Sequence, residues 1–548
     1  MKARSTRRHF LAGSLAAAAA QASGNTAQPN TEWSGGRVQH LIPVANHTEI
    51  QLKVIFRETQ SAPNLRVGDK FVQGVPGDTE QTGWTFHSTE LNPDTVYELS
   101  LWDGQGRSAK RLSDPWPLKT FPHPNAKKEH ARLLVYTCAG GHPLMSEGEG
   151  SSFLPMATRR ALLDRGLSFQ PDAVIAIGDQ IYWDQRTILD STSDLRRERG
   201  LAVYEKAGLL DRTLAAAGTR NEDVLKLVAG QQIQPLYGVS LRSTPAYFIN
   251  DDHDYFENDE ATRRFVTLPP YNYQIRFSDY VRNLYLPNYL ADPGRSKPIS
   301  GDRSDGSNSS FGTLRWGNLL EVLMYDCAGH LSLKGENAGL IPGNVERWLQ
   351  ARTANSDIRQ LLHIPSHPMG WSAGKWREWY PDVANTGDDG EQIAQIGTEG
   401  KQFRLTTDKP KFMWQKGWWL QHQRLLQALS EQTKRAPVMM SGDLHATGHA
   451  QITRSGNLNL AANPVNTMIT GPLGTGTYWP SRARGIMPTS AIGLELTDQA
   501  PIQEKNGFTI VDAYPDHLRV RLFAWRRETN QTSEIESLAP YHDTIITR

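Results

Sequence analysis

The chain is poor in cysteine, carries almost no excess of either charge, and has no long apolar run beyond its first residues. Its 548 residues include only two cysteines, Cys138 and Cys327, so at most one internal disulfide is possible. Lysine and arginine number 59 against 58 aspartates and glutamates. No basic face is implied, and nucleic acid is not expected as a partner. Outside the N-terminal stretch, nothing approaches the roughly 20 apolar residues that cross a bilayer, so no transmembrane segment is expected. Charged residues make up 21%, as in a soluble globular chain, and the length exceeds that of one ordinary domain. No internal repeat is visible.

The first residues do not read as part of the fold. Ser5-Thr6-Arg7-Arg8-His9-Phe10-Leu11 precedes the apolar LAGSLAAAAA, and Ala20-Gln21-Ala22 offers a small-residue cleavage point. Paired arginines, apolar run and cleavage point in that order predict a twin-arginine signal peptide over residues 1–22. Export by the twin-arginine translocation machinery, to the periplasm or beyond the cell, is therefore expected. No cysteine lies near the cleavage point, which argues against a lipid anchor. Removing that segment takes away Lys2, Arg4, Arg7 and Arg8 and no acid, so four cations fewer move the formal charge from +1 to −3. The destination permits disulfides. Both cysteines follow apolar runs, and a Cys138–Cys327 bridge and two free thiols both fit.

Residues 23–37 are small and polar, a flexible leader. From 38 to 122 the pattern is short alternating strands between turn residues: IQLKVIFRE, GWTFHSTE, VYELSLWD and WPLKTF. This predicts a small all-β sandwich, and Leu91 to Tyr97 resembles the tyrosine corner of fibronectin type III domains. The sandwich has no cluster of reactive side chains, so packing or positioning is its expected role. His123 to Glu129 reads as a linker. From 130 to 547 strands and helical patterns alternate, the signature of an α/β domain. Residues 193–232 look helical and without strong chemistry. GNVERWLQARTA and GWWLQHQRLLQALSEQ are amphipathic, with their Trp and Leu positions expected in the core. FTIVDAYP and LRVRLFAWR are expected to complete a second sheet. Residues 371–414 lack periodicity and are rich in Gly, Asp and Trp, as in a lid. Gly471 to Thr477 lacks the Lys-Ser/Thr ending of a nucleotide loop and reads as a plain loop near the site.

Five apolar runs end in residues that bind metal or move protons. RLLVYTC ends at Cys138; AVIAIGDQIY holds Asp179 and Tyr182; AYFINDDHD carries Asp251 to Asp254; LLHIPSHP gives His363 and His367; VMMSGDLHA gives Asp443 and His445. Such runs read as strands buried on both faces, and ligands sit beyond the carboxyl ends of strands of this kind. Five of them together suit a two-metal hydrolase. Asp179, after Gly178, has two oxygens with which to bridge two cations, and the Tyr182 phenol falls near enough to ligate one. An aspartate capping the following helix, with a tyrosine in the core, fits equally. Three acids around His253 after apolar AYFI call for a cation or solvent nearby. His367 alone reads as a surface histidine.

YTC, GDQIY, NDDHD, PSHP and SGDLH, in this order, resemble the blocks of calcineurin-like metallophosphoesterases, and most of all the PhoD-type alkaline phosphatases. The resemblance spans most of the chain, because those proteins also carry a twin-arginine signal and an N-terminal sandwich. It implies a four-layer α/β sandwich of two sheets flanked by helices, preceded by the fibronectin-like domain. It implies Cys138, Asp179, Tyr182 and His445 around a first metal, iron(III), for which thiolate and phenolate are suited donors. Asp179 would bridge to a second, oxygen-rich site with Asp443 and either Asp252 or Asn258, compatible with calcium, manganese, magnesium or zinc. His253 matches the histidine that protonates the leaving alkoxide, and His367 a metal-ligand histidine of the wider superfamily.

Three positions depart from that superfamily. Its opening Asp-x-His is Thr137-Cys138-Ala139-Gly140 here, as in the PhoD type. An expected Asp-x-Arg block appears as Asp326-Cys327-Ala328, and no arginine accompanies GDQIY to grip phosphate. Lys375 and Arg377 are the candidates for that role. The expected reaction is in-line attack of a metal-bound hydroxide on a phosphate mono- or diester, with His253 as proton donor. Two alternatives accompany it. One is a diesterase acting on phospholipid or cell-wall polymer, which an aromatic lid of Trp371, Trp376, Trp379 and Tyr380 would suit. The other is a non-catalytic surface-binding protein stabilised by its metals.

Overall fold

A computed structural model of the protein describes residues 33–104, 109–146, 151–183, 194–256, 270–292, 308–332, 338–355, 357–372, 416–476, 488–490 and 493–548. Gly35–Arg548 forms one compact unit. Its first part is a pair of antiparallel sheets. One joins Val38–Ala45, Ile50–Phe56, Gly83–Ser88 and Val75–Pro76; the other joins Lys70–Gln73, Pro63–Val67, Val96–Asp103, Lys110–Arg111 and Trp116–Lys119. The tyrosine corner closes as its sequence suggests, with the Asn92 backbone N–H donating to Tyr97 Oη at 2.8 Å.

The rest is an α/β sandwich of four layers. The first large sheet runs Ala246–Ile249, Ala173–Ile177, Ala131–Thr137, Asn506–Ala513, Leu518–Trp525 and Pro540–Ile546. The first three strands are parallel and the remainder antiparallel. The second large sheet holds Phe311–Trp316, Leu320–Tyr325, Gln360–Pro365, Val438–Ser441, Val465–Ile469 and Thr447–Ser455 in that order, with four successive parallel strands at its centre.

Alternation along Ala131–Thr137 explains the layering. Leu133 and Val135 face the core between the sheets, beside Ile175, Val322, Ile364 and Met440. Leu134 and Tyr136 face the outer core, beside helices Met156–Leu167, Arg220–Tyr237 and Asn272–Tyr285. Helices Gly343–Ala354 and Lys416–Ser430 cover the second sheet, with Trp348, Leu349, Trp418 and Leu426 inward. Strands buried on both faces need no polar alternation, which is why their sequences are continuous apolar runs.

Two expectations need correction. FTIVDAYP and LRVRLFAWR join the first large sheet, because Asn506–Ala513 pairs antiparallel with the Cys138 strand in the register Ala131↔Ala513. Residues 193–232 are not helical throughout: helices Asp194–Ala207 and Arg220–Tyr237 are separated by turns. The N-terminal sandwich is tied to the α/β layers by polar contacts. The Leu41 N–H donates to Gly238 O at 2.8 Å, His40 Nε2 meets Tyr285 O at 2.9 Å, and Lys226 bridges Asp78 and Glu80.

Candidate metal centre

Cys138, Asp179, Asp251, His367 and Asp443 each follow a parallel strand within a few residues, three in the first large sheet and two in the second. The chain bends sharply as it leaves them. Cys138, Asp179, Asp443 and His445 have φ of 47°, 54°, 66° and 42°, four of the nine positive-φ residues other than glycine among the described residues. A side chain in the left-handed region costs roughly 1–3 kcal/mol, and such strain gathers where surrounding structure holds it for function. Two glycines let the strand ends close on each other. A Cβ on Gly178 would stand 2.3 Å from Asp251 Cβ, and one on Gly442 would stand 2.2 Å from Thr137 Oγ1.

The bends are held by hydrogen bonds between neighbouring strand ends. Cys138 N–H donates to Gly178 O at 3.3 Å and Gly140 N–H to Asp179 O at 2.9 Å. The Asp254 carboxylate accepts from the backbone N–H groups of Asp179 (2.9 Å), Gln180 (3.0 Å), Ile181 (3.2 Å) and Asp251 (3.0 Å). One acid thus folds the Asp179 turn around itself. Gln232 does the same across the Cys138 loop: its Oε1 accepts from Gly141 N–H at 2.8 Å and Tyr182 N–H at 2.9 Å. Gln232 lies in the stretch whose sequence carried no chemical signal.

The donor atoms then converge. A thiol, a carboxylate and an imidazole from Cys138, Asp179 and His445 lie within 4.8 Å of one another. Tyr182 Oη donates to Asp179 Oδ2 at 2.9 Å and stands 3.3 Å from His445 Nε2. Asp179, Asp252 and His253 form a second such group, and Asp251, Asp252 and Asp443 a third. Asp179 belongs to the first two, Asp252 to the last two, so the groups are continuous. All these residues are buried, His445 and His253 least so. The His253 ring lies 4.3 Å from that of Tyr182.

Asp251 is the residue that the sequence reading left without a role, although it stood in the NDDHD run. His367 is buried against the Trp418 ring and belongs to none of the three groups, and it is not at the surface. Asn258, Lys375, Arg377, Trp376, Trp379 and Tyr380 lie outside the described residues, as does the twin-arginine segment; Trp371 is buried. Asp326 takes a hydrogen bond from Tyr255 Oη at 2.6 Å and one from Gly329 N–H at 2.8 Å. Cys138 and Cys327 are free thiols, not a bridge. The Gly471–Gly476 loop is more than a neighbour of the site. Gly474 N–H donates to Cys138 O at 2.8 Å, and a Cβ there would meet Gly140 O at 2.4 Å.

The electrostatics fit a bound cation. Burial first, and then the charges of Asp179 and Asp443, push the Cys138 thiol well above its ordinary range, with a Thr137 hydrogen bond opposing. Burial followed by Asp179 and Cys138 does the same to the Tyr182 phenol. Acids that hold each other's protons on are the groups from which a cation displaces protons. Thiol, phenol and imidazole beside a carboxylate suit a transition metal, and the all-carboxylate group suits a harder ion.

No family model and no curated protein matches the chain. Solved structures similar in fold include the following two. The structure of PhoD aligns over 95% of this chain and 90% of its own, with TM-score 0.51 and 12% identity. Purple acid phosphatase PPD1 from yellow lupin (Lupinus luteus) seeds aligns over 93% and 74%, with TM-score 0.50 and 12% identity. The chain therefore shares its fold with these two structures.

Proposed function

We propose that the chain is an exported metal-dependent phosphoesterase that hydrolyses phosphate mono- or diesters. The observation that carries this is the convergence of Cys138, Asp179, Tyr182 and His445 from distant segments on one buried point, continuous with Asp251, Asp252 and Asp443. In this reading Cys138, Asp179, Tyr182 and His445 would hold iron(III), which agrees with their thiol and phenol chemistry. A second ion, calcium or else manganese, magnesium or zinc, would be held by Asp251, Asp252 and Asp443, with Asp179 close enough to contribute. When bound, the ions lower the pKa of water and neutralise charge on the phosphoryl oxygens.

The chain's own residues do the rest. Asp254 and Gln232 fix the Asp179 turn and the Cys138 loop by backbone hydrogen bonds. Burial of these side chains keeps bulk water away and strengthens the charge interactions among them. His253, in the same group as Asp179 and Asp252, supplies a proton to the leaving oxygen. Export rests on the Arg7-Arg8 pair and the apolar run after it. Among the described residues no helix is long and apolar enough to cross a membrane.

The test is Asp179→Asn beside the wild type, each assayed with an aryl phosphate monoester and a diester and by elemental analysis. Metal content and turnover should both fall sharply in the variant. A folded variant with unchanged turnover refutes the reading. Metal without hydrolysis in the wild type would instead favour a metal-stabilised binding protein.

A further inference from the structure

Arg159, in the first turn of helix Met156–Leu167, is completely buried. Its guanidinium donates to four acceptors, none of them a carboxylate: Nε to Leu154 O at 2.8 Å, Nη1 to Gly140 O at 2.9 Å and Gly141 O at 2.7 Å, and Nη2 to Ser146 Oγ at 2.6 Å. Burying a cation on neutral acceptors is costly, so its placement needs a reason. The helix does not supply one. Arg160, next in sequence, is exposed and reaches Pro235 O. All four acceptors instead lie on the chain between Cys138 and the helix, so one side chain ties together residues on both sides of that stretch.

The same guanidinium also bears on the phenol. Its Cζ stands 5.7 Å from the centre of the Phe153 ring, and Phe153 lies 4.8 Å from the Tyr182 ring. Phe153 is fixed in turn: a Cβ on Gly141 would come within 2.3 Å of it, and its backbone bridges Thr475. The guanidinium fork therefore touches the loop of one donor directly and the ring of another through a single aromatic side chain.

We propose that Arg159 is a positioning residue for the first metal site, holding the Cys138 loop by its fork and the Tyr182 ring through Phe153, so that thiol and phenol are set for one ion. This rests on the metal reading given under Proposed function. Lysine keeps the charge but offers one point of donation in place of a planar fork, so Arg159→Lys removes the geometry selectively. Arg435 is the structural control. It is also buried on uncharged acceptors (Ile358 O, Thr353 O, Asn355 O and Gln432 Oε1). It lies before the strand Val438–Ser441, at the end opposite Asp443.

Wild type, Arg159→Lys, Ser146→Ala and Arg435→Lys are loaded with iron(III), titrated with a chelator, and followed by elemental analysis, by the visible charge-transfer band and by their unfolding midpoints. Arg159→Lys should release iron at about 10- to 100-fold lower chelator, the usual loss when a group supporting a ligand is removed, with a shifted or weakened band. Ser146→Ala should move both in the same direction by less. Arg435→Lys should lower the unfolding midpoint and keep wild-type iron affinity and band. Wild-type affinity and band in both Arg159→Lys and Ser146→Ala overturn the proposal, as does equal iron loss in Arg159→Lys and Arg435→Lys. If Arg159→Lys does not fold, Ser146→Ala decides. A wild type that binds no iron overturns the metal reading, and this inference with it.

Discussion

His40 sits where the first strand of the N-terminal sandwich meets the α/β layers, fully buried, with Nε2 on Tyr285 O at 2.9 Å and its ring edge-on to the Tyr285 ring. Burial lowers its pKa from the ordinary 6.5 to about 4, with the Tyr285 carbonyl opposing. The folded protein thus keeps His40 neutral where the unfolded chain would take up a proton. Above pH 6.5 neither state is protonated and the contribution to stability is complete. Between pH 6.5 and 4 only the unfolded state gains a proton, so stability falls; below 4 the loss levels off. Linkage with these two values gives a loss of about 2 kcal/mol between pH 7 and pH 5 from this one histidine. Urea unfolding of the wild type and of His40→Gln at both pH values measures it. The variant loses some stability at pH 7 through altered packing, but its decline on acidification should be shallower by about 2 kcal/mol. Parallel declines in the two proteins would refute the assignment. His363, on Thr353 Oγ1 at 2.9 Å, is lowered further, to about 3, and carries the same effect to lower pH.

Two other expectations concern the loops around the centre. Gly474→Ala places a Cβ 2.4 Å from Gly140 O and 2.7 Å from Ala139 O. These are backbone atoms that cannot rotate away, so about 1–3 kcal/mol of stability is lost, as in other overpacked interiors. Gly343→Ala, whose nearest atom would be the end of the Arg347 side chain at 3.6 Å, should cost nothing measurable; equal denaturation midpoints for the two variants would contradict this. Cys138 and Cys327 are buried and free, with burial raising the Cys327 thiol to about 12. A polar thiol reagent should therefore label neither in the native protein and both in denaturant without reductant. No labelling in denaturant would mean a disulfide.

The residues legible in the sequence were those whose context is local. An apolar run followed by glycine and an acid identifies a buried strand and the bend after it within ten residues, and Gly178-Asp179 and Gly442-Asp443 are of that kind. The sheet to which a strand belongs is not local. Asn506–Ala513 is buried along its whole length, a pattern that either large sheet would satisfy. Only its antiparallel pairing with Ala131–Thr137 assigns it to the first. The Cys138–Cys327 question is likewise not local, because the two cysteines follow strands of different large sheets.

Support residues were illegible for a sharper reason. Asp254 stood in plain view among three acids, yet its four backbone donors lie on two separate turns. Gln232 is a polar residue on a helix, and in sequence it looks like a solvated one. Arg159 and Arg160 are adjacent and identical in type. One lies buried beneath the Cys138 loop and the other is exposed, because successive helical residues point about 100° apart. Chemistry-bearing side chains advertise themselves by their type and by the strand they end. The groups that aim them are common polar residues, and only the tertiary partners at the far end of each hydrogen bond separate them from the surface.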